Sequence, residues 1–555
     1  MSTSSSLKSI LKPFHKSSKK AGVSKSSTAS SSVSPSHKLP TPPPDAPRVL
    51  VIGAGSRGNA YAKALAHPPS NVDPGEIIRG VVVGVAEPDD GKRKRFSENY
   101  IFCPDGEKLE FGCWREMVTE EGKQRVAKVG VDGILVCTLD YTHEEIILSL
   151  RSHFPTTHLF SEKPLTASLP SLLRIYTSLG STPPIIFSIG HVLRYSSLLL
   201  SLKKLLCEDQ VIGDIIHLDW TEPVGYWHFA HSYVRGNWAE TGTSAPSLLT
   251  KCCHDVDILM WLLCSPHYRA LPGMGVRRNP HLPTKITSTG TLVHFRKKNK
   301  PVQAGDSTNC FGCPAELECI YSAKKIYLRD NGLSTGWPNK IVSPDIEGFT
   351  IPPDYEKVKS LLTNALQQDY TTAETKAPGR SYYGRCVYES SNDVVDNQIV
   401  TLTWEDIPPP TDEEPNSPGY SSKTATLTMA GHTQAICERR GRVYGSKGEV
   451  VFSAETNSIT VHDFTSGGSR VINPQVAVGS GHGGGDFGLV NAFVGAVRAV
   501  KSLGWDVKRA QKEWIGMDVE ECVRSHAVVW AAEEARVGEK IVKWGEWWDS
   551  VIKKA

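Results

Sequence analysis

The sequence predicts an α/β fold: an N-terminal parallel Rossmann sheet, then an α+β domain built on a large, open, mostly antiparallel sheet. Three observations carry this reading. Strands alternate with helical segments from Arg48 to Ser168, the first strand runs straight into a glycine turn, and from "QIVTLTW" onward the chain reads as strands and hairpins.

At 555 residues the chain is too long for one core, given roughly 150 residues per domain. Composition and pattern divide it into three: a tail over 1–46, a nucleotide-binding domain over 47–190, and a second domain over 191–545, whose helices near 247–264 and 486–535 are expected to pack back on the first. The tail is rich in Ser, Pro and Lys with no acid before Asp45, a composition that stays disordered. Mitochondrial import is the lesser alternative, because the tail is Lys-rich rather than Arg-rich and Pro13 breaks "LKSILKPFHK". Lys plus Arg number 62 against 59 Asp plus Glu, a balance that favours a small-molecule partner over nucleic acid or a membrane surface. No run reaches the ~18 apolar residues of a membrane span. The odd count of 13 cysteines, without a secretory leader pattern, predicts reduced thiols and a soluble, cytoplasmic protein.

The first strand and helix are read at Val49 to Ile52 and Asn59 to Leu65 of "RVLVIGAGSRGNAYAKAL", with Gly53, Gly55 and Gly58 between them. The first glycine of such a turn permits the bend, the second admits a pyrophosphate, and the third lets helix and strand pack closely. Ser56 and Arg57 then open the helix whose N-terminus would receive the phosphates. A second strand, "GVVVGVAEP", ends in Glu87, where a ribose hydroxyl would be held, favouring NAD over NADP. Lys92 and Arg93 just beyond keep a 2′-phosphate open, and Glu87 as a helix cap is the structural alternative. A further strand, "VDGILVCTLDYTHEEIILSL", turns at Thr138 into a helix starting near His143, and an apolar stretch leads to Glu162, Lys163 and Pro164; Thr138, His143, Glu162 and Lys163 at these strand ends are candidate cofactor contacts. Proline holds the residue before it extended, so the Lys163 ammonium can enter a crevice at the strand ends and favour a developing alkoxide. Glu162 is expected to orient it. A strand-end salt bridge is the plainer alternative.

The glycine turn, the acid after the second strand, the strand-end Glu-Lys-Pro and a later helix carrying "HDVD" together resemble the Gfo/Idh/MocA oxidoreductases, over about residues 48 to 545. The resemblance implies a Rossmann domain holding NAD or NADP, and a second domain whose open sheet mediates homo-oligomerisation. It implies oxidation of a sugar or cyclitol hydroxyl, or reduction of the ketone. It makes His254 the proton acceptor or donor, work that suits an imidazole. Without the resemblance, His254 reads as a core histidine. One departure stands out: family members carry an aspartate four residues before this histidine, and this chain has Thr250, so Asp257 or another carboxylate must tune the imidazole or the chemistry differs.

Candidate substrate contacts follow from side-chain chemistry. Arg194 follows the strand in "IIFSIGHVLRYS". His231, Arg235, Asn237 and Trp238 lie in "HLDWTEPVGYWHFAHSYVRGNWAE" and offer donors and flat faces for a polyhydroxylated ring. An internally satisfied loop is the alternative. Asp257 shares a helix face with Thr250 and His254. His482 and Asp486 lie on "GSGHGGGDF", a loop that opens a helix; in related sequences such a loop reaches over the substrate, while Asp486 as an N-terminal cap explains itself locally. Cys310, Cys313 and Cys319 form C-x2-C-x5-C, and with Cys386 they present four thiols for a structural zinc, or plain buried thiols. Two other functions share this fold: a redox-neutral, NAD-assisted glycosidase, and a non-catalytic nucleotide sensor.

Overall fold

Short apolar runs, covered on both faces, make the first sheet of the computed structural model, which describes residues 41–103, 106–264, 280–330, 333–368, 381–408 and 419–553. Its strands are β1 (Arg48–Ile52), β2 (Val81–Ala86), β3 (Leu109–Phe111), β4 (Gly133–Val136), β5 (His158–Ser161) and β6 (Phe187–Ile189). All pair in parallel, in the order β3-β2-β1-β4-β5-β6. β2, β4 and β5 are buried at every residue, as expected of parallel strands covered by helices on both sides. The order reverses between β1 and β4, and a ligand crevice opens at such a point, outside the carboxyl ends of the strands.

The second sheet holds nine strands: β7 (Ile215–Pro223), β8 (Lys285–Thr291), β9 (Asn397–Trp404), β10 (Lys423–Ala430), β11 (Arg440–Gly445), β12 (Gly448–Ser453), β13 (Ser458–Asp463), β14 (Ser469–Ile472) and β15 (Val542–Lys543). Their order is β14-β13-β12-β11-β7-β10-β9-β8-β15, antiparallel throughout except where β10 lies parallel to β7. Alternation fixes its faces: Val400, Leu402 and Trp404 of β9 point inward with Ala425, Leu427 and Met429 of β10, while Thr401 and Thr403 fall on the other side, half-buried.

Helices tie the two sheets together. The Val519–Val537 helix packs on β8, on the Ser247–Leu263 helix and on the Leu169–Leu179 helix, and the Gly485–Leu503 helix lies on the Ser56–Ala66 helix. The chain's last third therefore returns to the nucleotide-binding side. The fold also runs past 545: the Trp544–Ile552 helix buries Trp544, Trp547 and Val551. Residues 1–40 of the tail and 409–418 of the polar insert before β10 lie outside the described residues. Among the described residues no helix is long and apolar enough to cross a membrane.

Candidate active site

The turn after β1 is built by steric exclusion at two glycines and open space at the third. Gly53 has φ +96°, and a Cβ there would meet the Cys137 carbonyl oxygen at 2.6 Å; a Cβ on Gly58 would meet the Gly53 oxygen at 2.1 Å. A Cβ on Gly55 would meet nothing within 4 Å, so a ligand can approach the backbone there. The Ser56–Ala66 helix starts at Gly55 without a side-chain cap, leaving the N–H groups of its first turn, with exposed Ser56, available to an anion.

Glu87, at the end of β2, accepts from the Ala54 N–H at 2.8 Å and the Asp89 N–H at 3.1 Å. The helix that follows is capped by Asp89, so Glu87 is not its cap. Arg93 donates to the Glu87 carbonyl at 2.6 Å and pairs with Asp90. Thr138 lies over the glycine turn, its methyl 3.3 Å from the position of a Gly53 Cβ. These groups form a cradle that fits a dinucleotide: a phosphate seat without a side-chain cap, an acid at ribose height, and a glycine face open to the ligand.

Arg57 and Glu162 depart from expectation. Arg57 donates to Glu162 at 3.0 Å, to the Tyr61 hydroxyl at 2.6 Å and to Asp486 at 2.7 Å. The Tyr61 hydroxyl also donates to Glu162. Burial would push the Glu162 carboxyl up, but Arg57, the Tyr61 hydrogen bond and Lys163 outweigh it and hold it below the usual carboxylate range. Glu162 is thus a buried brace, and it grips the Lys163 backbone N–H at 2.9 Å, not the ammonium. Asp486 accepts from Arg57 and contacts His482 Nδ1 at 2.9 Å, so the glycine loop at 479–485 is anchored onto the turn after β1. His143 is likewise engaged within the protein. It is fully buried, with Nδ1 2.9 Å from the Pro164 carbonyl oxygen and Nε2 3.2 Å from that of Thr138, and so straps the end of β4 to the Glu-Lys-Pro loop.

Lys163 itself faces the crevice. Its ammonium donates to the Thr250 carbonyl at 3.1 Å and lies 5.9 Å from the Trp238 ring centroid. Trp238 Nε1 donates to Asp140 at 3.0 Å, joining the second domain to the end of β4. Thr250 sits on the Ser247–Leu263 helix one turn before His254. Its hydroxyl points to the Pro246 carbonyl at 3.4 Å, and its contribution to the site is the carbonyl that holds Lys163. His254 is 7% exposed with Nδ1 unpartnered. Burial and then the nearby Lys163 charge push it well below the ordinary imidazole value, leaving the neutral base.

Five of the expected substrate contacts bond within the protein. Asp257 is fully buried and accepts two bonds from Arg194, at 2.6 and 2.8 Å, while Arg194 also donates to Glu521 at 2.8 Å. These charges satisfy one another beneath the crevice, and Asp257 does not reach His254. Instead His191, which sequence reasoning passed over, stands between them: its ring centroid is 5.6 Å from that of His254, and its Nε2 is 3.8 Å from Asp257. His231 bonds the Tyr327 hydroxyl at 2.8 Å and stacks on Tyr383. Arg235, 1% exposed, donates to the carbonyls of Arg385 and Tyr321. Asn237 is exposed and accepts from Ser381 at 2.8 Å. The polar composition of this stretch satisfied the protein's own backbone, which composition alone cannot distinguish from ligand binding.

The four cysteines of the zinc reading lie near one another. Cys310, Cys313, Cys319 and Cys386 do line one cavity, yet no three His, Cys, Asp or Glu among the described residues are placed to hold a metal ion. The Arg235 guanidinium donates to Cys310 at 3.6 Å, and burial pushes the Cys319 and Cys386 thiols up.

Buried imidazoles impose an acid limit on stability. Burial pushes His191 and His231 from 6.5 to about 3 and His158 to about 4. Between these values and 6.5 the unfolded chain binds more protons than the folded one, so stability rises with pH. It is full above 6.5 and declines as the pH falls toward the folded values. Glu162 and Asp257, both held below the usual carboxylate range, add the same sign at lower pH. The urea midpoint is therefore expected to drop steadily from about pH 6.5 to 4; a flat midpoint across that window would contradict neutral burial of these rings.

Comparison with known proteins agrees with this geometry. Residues 47–189 match the family described as "Oxidoreductase family, NAD-binding Rossmann fold". The chain is 23% identical over 209 residues to inositol 2-dehydrogenase/D-chiro-inositol 3-dehydrogenase of Shouchella clausii (strain KSM-K16), covering 38% of this chain and 56% of that protein. It is 25% identical over 192 residues to inositol 2-dehydrogenase of Paracoccus denitrificans (strain Pd 1222), covering 34% and 52%. The chain thus spans about half the length of these curated relatives. Among solved structures it is similar to levoglucosan dehydrogenase in complex with NADH and L-sorbose (TM-score 0.54, 12% identity, 89% of this chain and 98% of that one). It is also similar to an oxidoreductase from Agrobacterium radiobacter in complex with NAD+, L-tartaric acid and magnesium (0.52, 12%, 90% and 98%). At such identity the structures speak for the fold alone, which extends the likeness over both sheets. Through residues 47–189 the chain is thus similar to the NAD-binding Rossmann fold of the Gfo/Idh/MocA oxidoreductases, and the curated relatives it matches are inositol dehydrogenases.

Proposed function

We propose that this protein is an NAD-dependent oxidoreductase acting on a hydroxyl or keto group of a sugar, cyclitol or related small metabolite. One observation carries the proposal: the ammonium of Lys163, at the end of β5, is held by the carbonyl of Thr250 on the helix that also carries His254. The nicotinamide, when bound, takes or returns the hydride. Gly53, Gly55, Gly58 and the first turn of the following helix would seat the dinucleotide phosphates, with Thr138 beside them. Glu87 supports NAD, because its carboxylate opposes a 2′-phosphate and Arg93 is already engaged. Lys163 stabilises negative charge on the substrate oxygen. His254, held neutral, accepts the hydroxyl proton in oxidation and returns it in reduction. Trp238 supplies a flat face for a ring, and half-exposed His482 overhangs from its anchored loop.

The inositol and levoglucosan dehydrogenases it resembles support a polyhydroxylated substrate. The outer face of the second sheet, with Ile399 of β9 exposed, supports homo-oligomerisation there, and thirteen free cysteines support a cytoplasmic setting. The test is a fluorescence titration of the full chain with NADH and NADPH, followed by NAD+ and a panel of sugars and cyclitols. NADH is expected to bind more tightly, and a polyol to raise the reduced-nicotinamide absorbance. Tighter NADPH binding would reverse the cofactor assignment. Binding without net redox change would point to redox-neutral chemistry or sensing.

A further inference from the structure

Three buried ring nitrogens without hydrogen-bond partners gather at one place: Nδ1 and Nε2 of His191 and Nδ1 of His254. His191 follows β6, is 1% exposed, and holds its ring at 68° to that of His254, with centroids 5.6 Å apart. Buried polar atoms left unpaired are costly, so such a cluster calls for a reason. A third imidazole beside them is already engaged. His526, its ring centroid 5.3 Å from that of His191, accepts the Leu165 N–H on Nε2 at 3.0 Å, and its Nδ1, 3.0 Å from the Cys522 carbonyl oxygen, donates there. Neither of its nitrogens is left for His191. His191 Nε2 itself lies 3.8 Å from Asp257 Oδ1, and Arg194 fixes that carboxylate with two hydrogen bonds.

Counting protons selects one arrangement. Asp257 is held ionised by Arg194 against the effect of burial, and a carboxylate accepts without donating, so the neutral His191 ring turns an Nε2 proton toward it and keeps its lone pair on Nδ1. The imidazole beside it with an open nitrogen is His254. With the His254 proton on Nδ1, the two rings become donor and acceptor, and Nε2 of His254 retains the lone pair that a general base needs. A proton on Nε2 instead would set two lone pairs against each other and leave no basic nitrogen for the substrate. Both rings are kept neutral, His191 by burial with His526, Arg194 and Lys163 acting in the same sense against Asp257, and His254 by burial with Lys163, His191, Arg439 and His482. The rings stand farther apart than a hydrogen bond, a gap of the kind that tightens in a substrate complex.

We propose that His191 is a positioning residue that links Asp257 to His254 and fixes the His254 proton on Nδ1, a task the uncharged Thr250 hydroxyl does not perform. The inference rests on the reading of His254 as the general base. When the substrate hydroxyl proton passes to Nε2 of His254, the Nδ1–H of the resulting imidazolium is held by His191, whose Nε2–H is held in turn by Asp257, and no further proton moves. The test is long-range proton–nitrogen NMR of the full chain with isotope-labelled histidine, His254 being assigned by the signals missing from His254→Gln. His254 is expected to be neutral with its proton on Nδ1, and in His191→Phe to become a mixture of tautomers. His191→Gln, whose amide can accept from one group and donate to another, is expected to restore the single tautomer. On a polyol that the parent protein oxidises, His191→Phe is expected to lower kcat about 10²-fold with KM unchanged, and His191→Gln to recover most of that loss. A His254 proton on Nε2 in the parent, or one that stays on Nδ1 in His191→Phe, overturns the proposal, and the parent spectrum decides even if the variants do not fold. A His254 tautomer that follows His191 in a protein without turnover on any polyol would uphold the link and count against the oxidoreductase reading instead.

Discussion

Lys163→Met is expected to lower turnover about 10²- to 10³-fold while leaving NADH affinity unchanged. The ammonium sits at the carboxyl end of β5, held by the Thr250 carbonyl, where it can meet charge that develops on a substrate oxygen only as hydride leaves. Such charge is larger in the transition state than in the bound substrate, so the loss falls on kcat rather than on binding. Methionine keeps the length and apolar stem, and the fold does not depend on the charge, because Glu162 grips the Lys163 backbone N–H. The measurement pairs NADH titration with steady-state kinetics on a polyol the parent protein oxidises. Loss of NADH binding in parallel with turnover would make Lys163 a cofactor anchor, and unchanged turnover would remove it from the chemistry.

Asp257→Ala is expected to destabilise the fold by about 3–5 kcal/mol. The substitution leaves the buried Arg194 guanidinium with Glu521 alone, and removes the carboxylate from beside His191. Replacing the pair together, Arg194→Met with Asp257→Leu, is expected to cost less than the single change, because no buried charge is stranded. Urea denaturation of the three proteins checks this. A single variant as stable as its parent would mean that water or another side chain already compensates Arg194.

Much of the nucleotide-binding half was legible because its signals are contiguous. The strand, Gly53, Gly55, Gly58 and the helix that follows occupy one short stretch, and each glycine answers to a contact within it or on the adjoining strand. The same holds for Lys163 before Pro164 and for His254 on a helix marked by its apolar recurrence. The site's far wall was harder to read. "HFAHSYVRGNW" carries the side chains of a sugar pocket, yet His231 and Arg235 turn inward to Tyr327, Tyr321 and Arg385. Side-chain chemistry states what a residue can bond, while the direction it faces depends on packing against segments some hundred residues away.

The sequence by itself determined the parallel sheet, the dinucleotide turn, the acid after β2 and the lysine at the end of β5, because backbone sterics and strand periodicity act over a few residues. Only the tertiary structure decided which charges meet. Arg57 and Asp486 lie 429 residues apart and share a hydrogen bond; Asp257 belongs to Arg194 rather than His254; and His191 stands between Asp257 and His254. Those partnerships exist because the C-terminal helices return to the first domain, and the cost of burying a charge selects the partner that neutralises it.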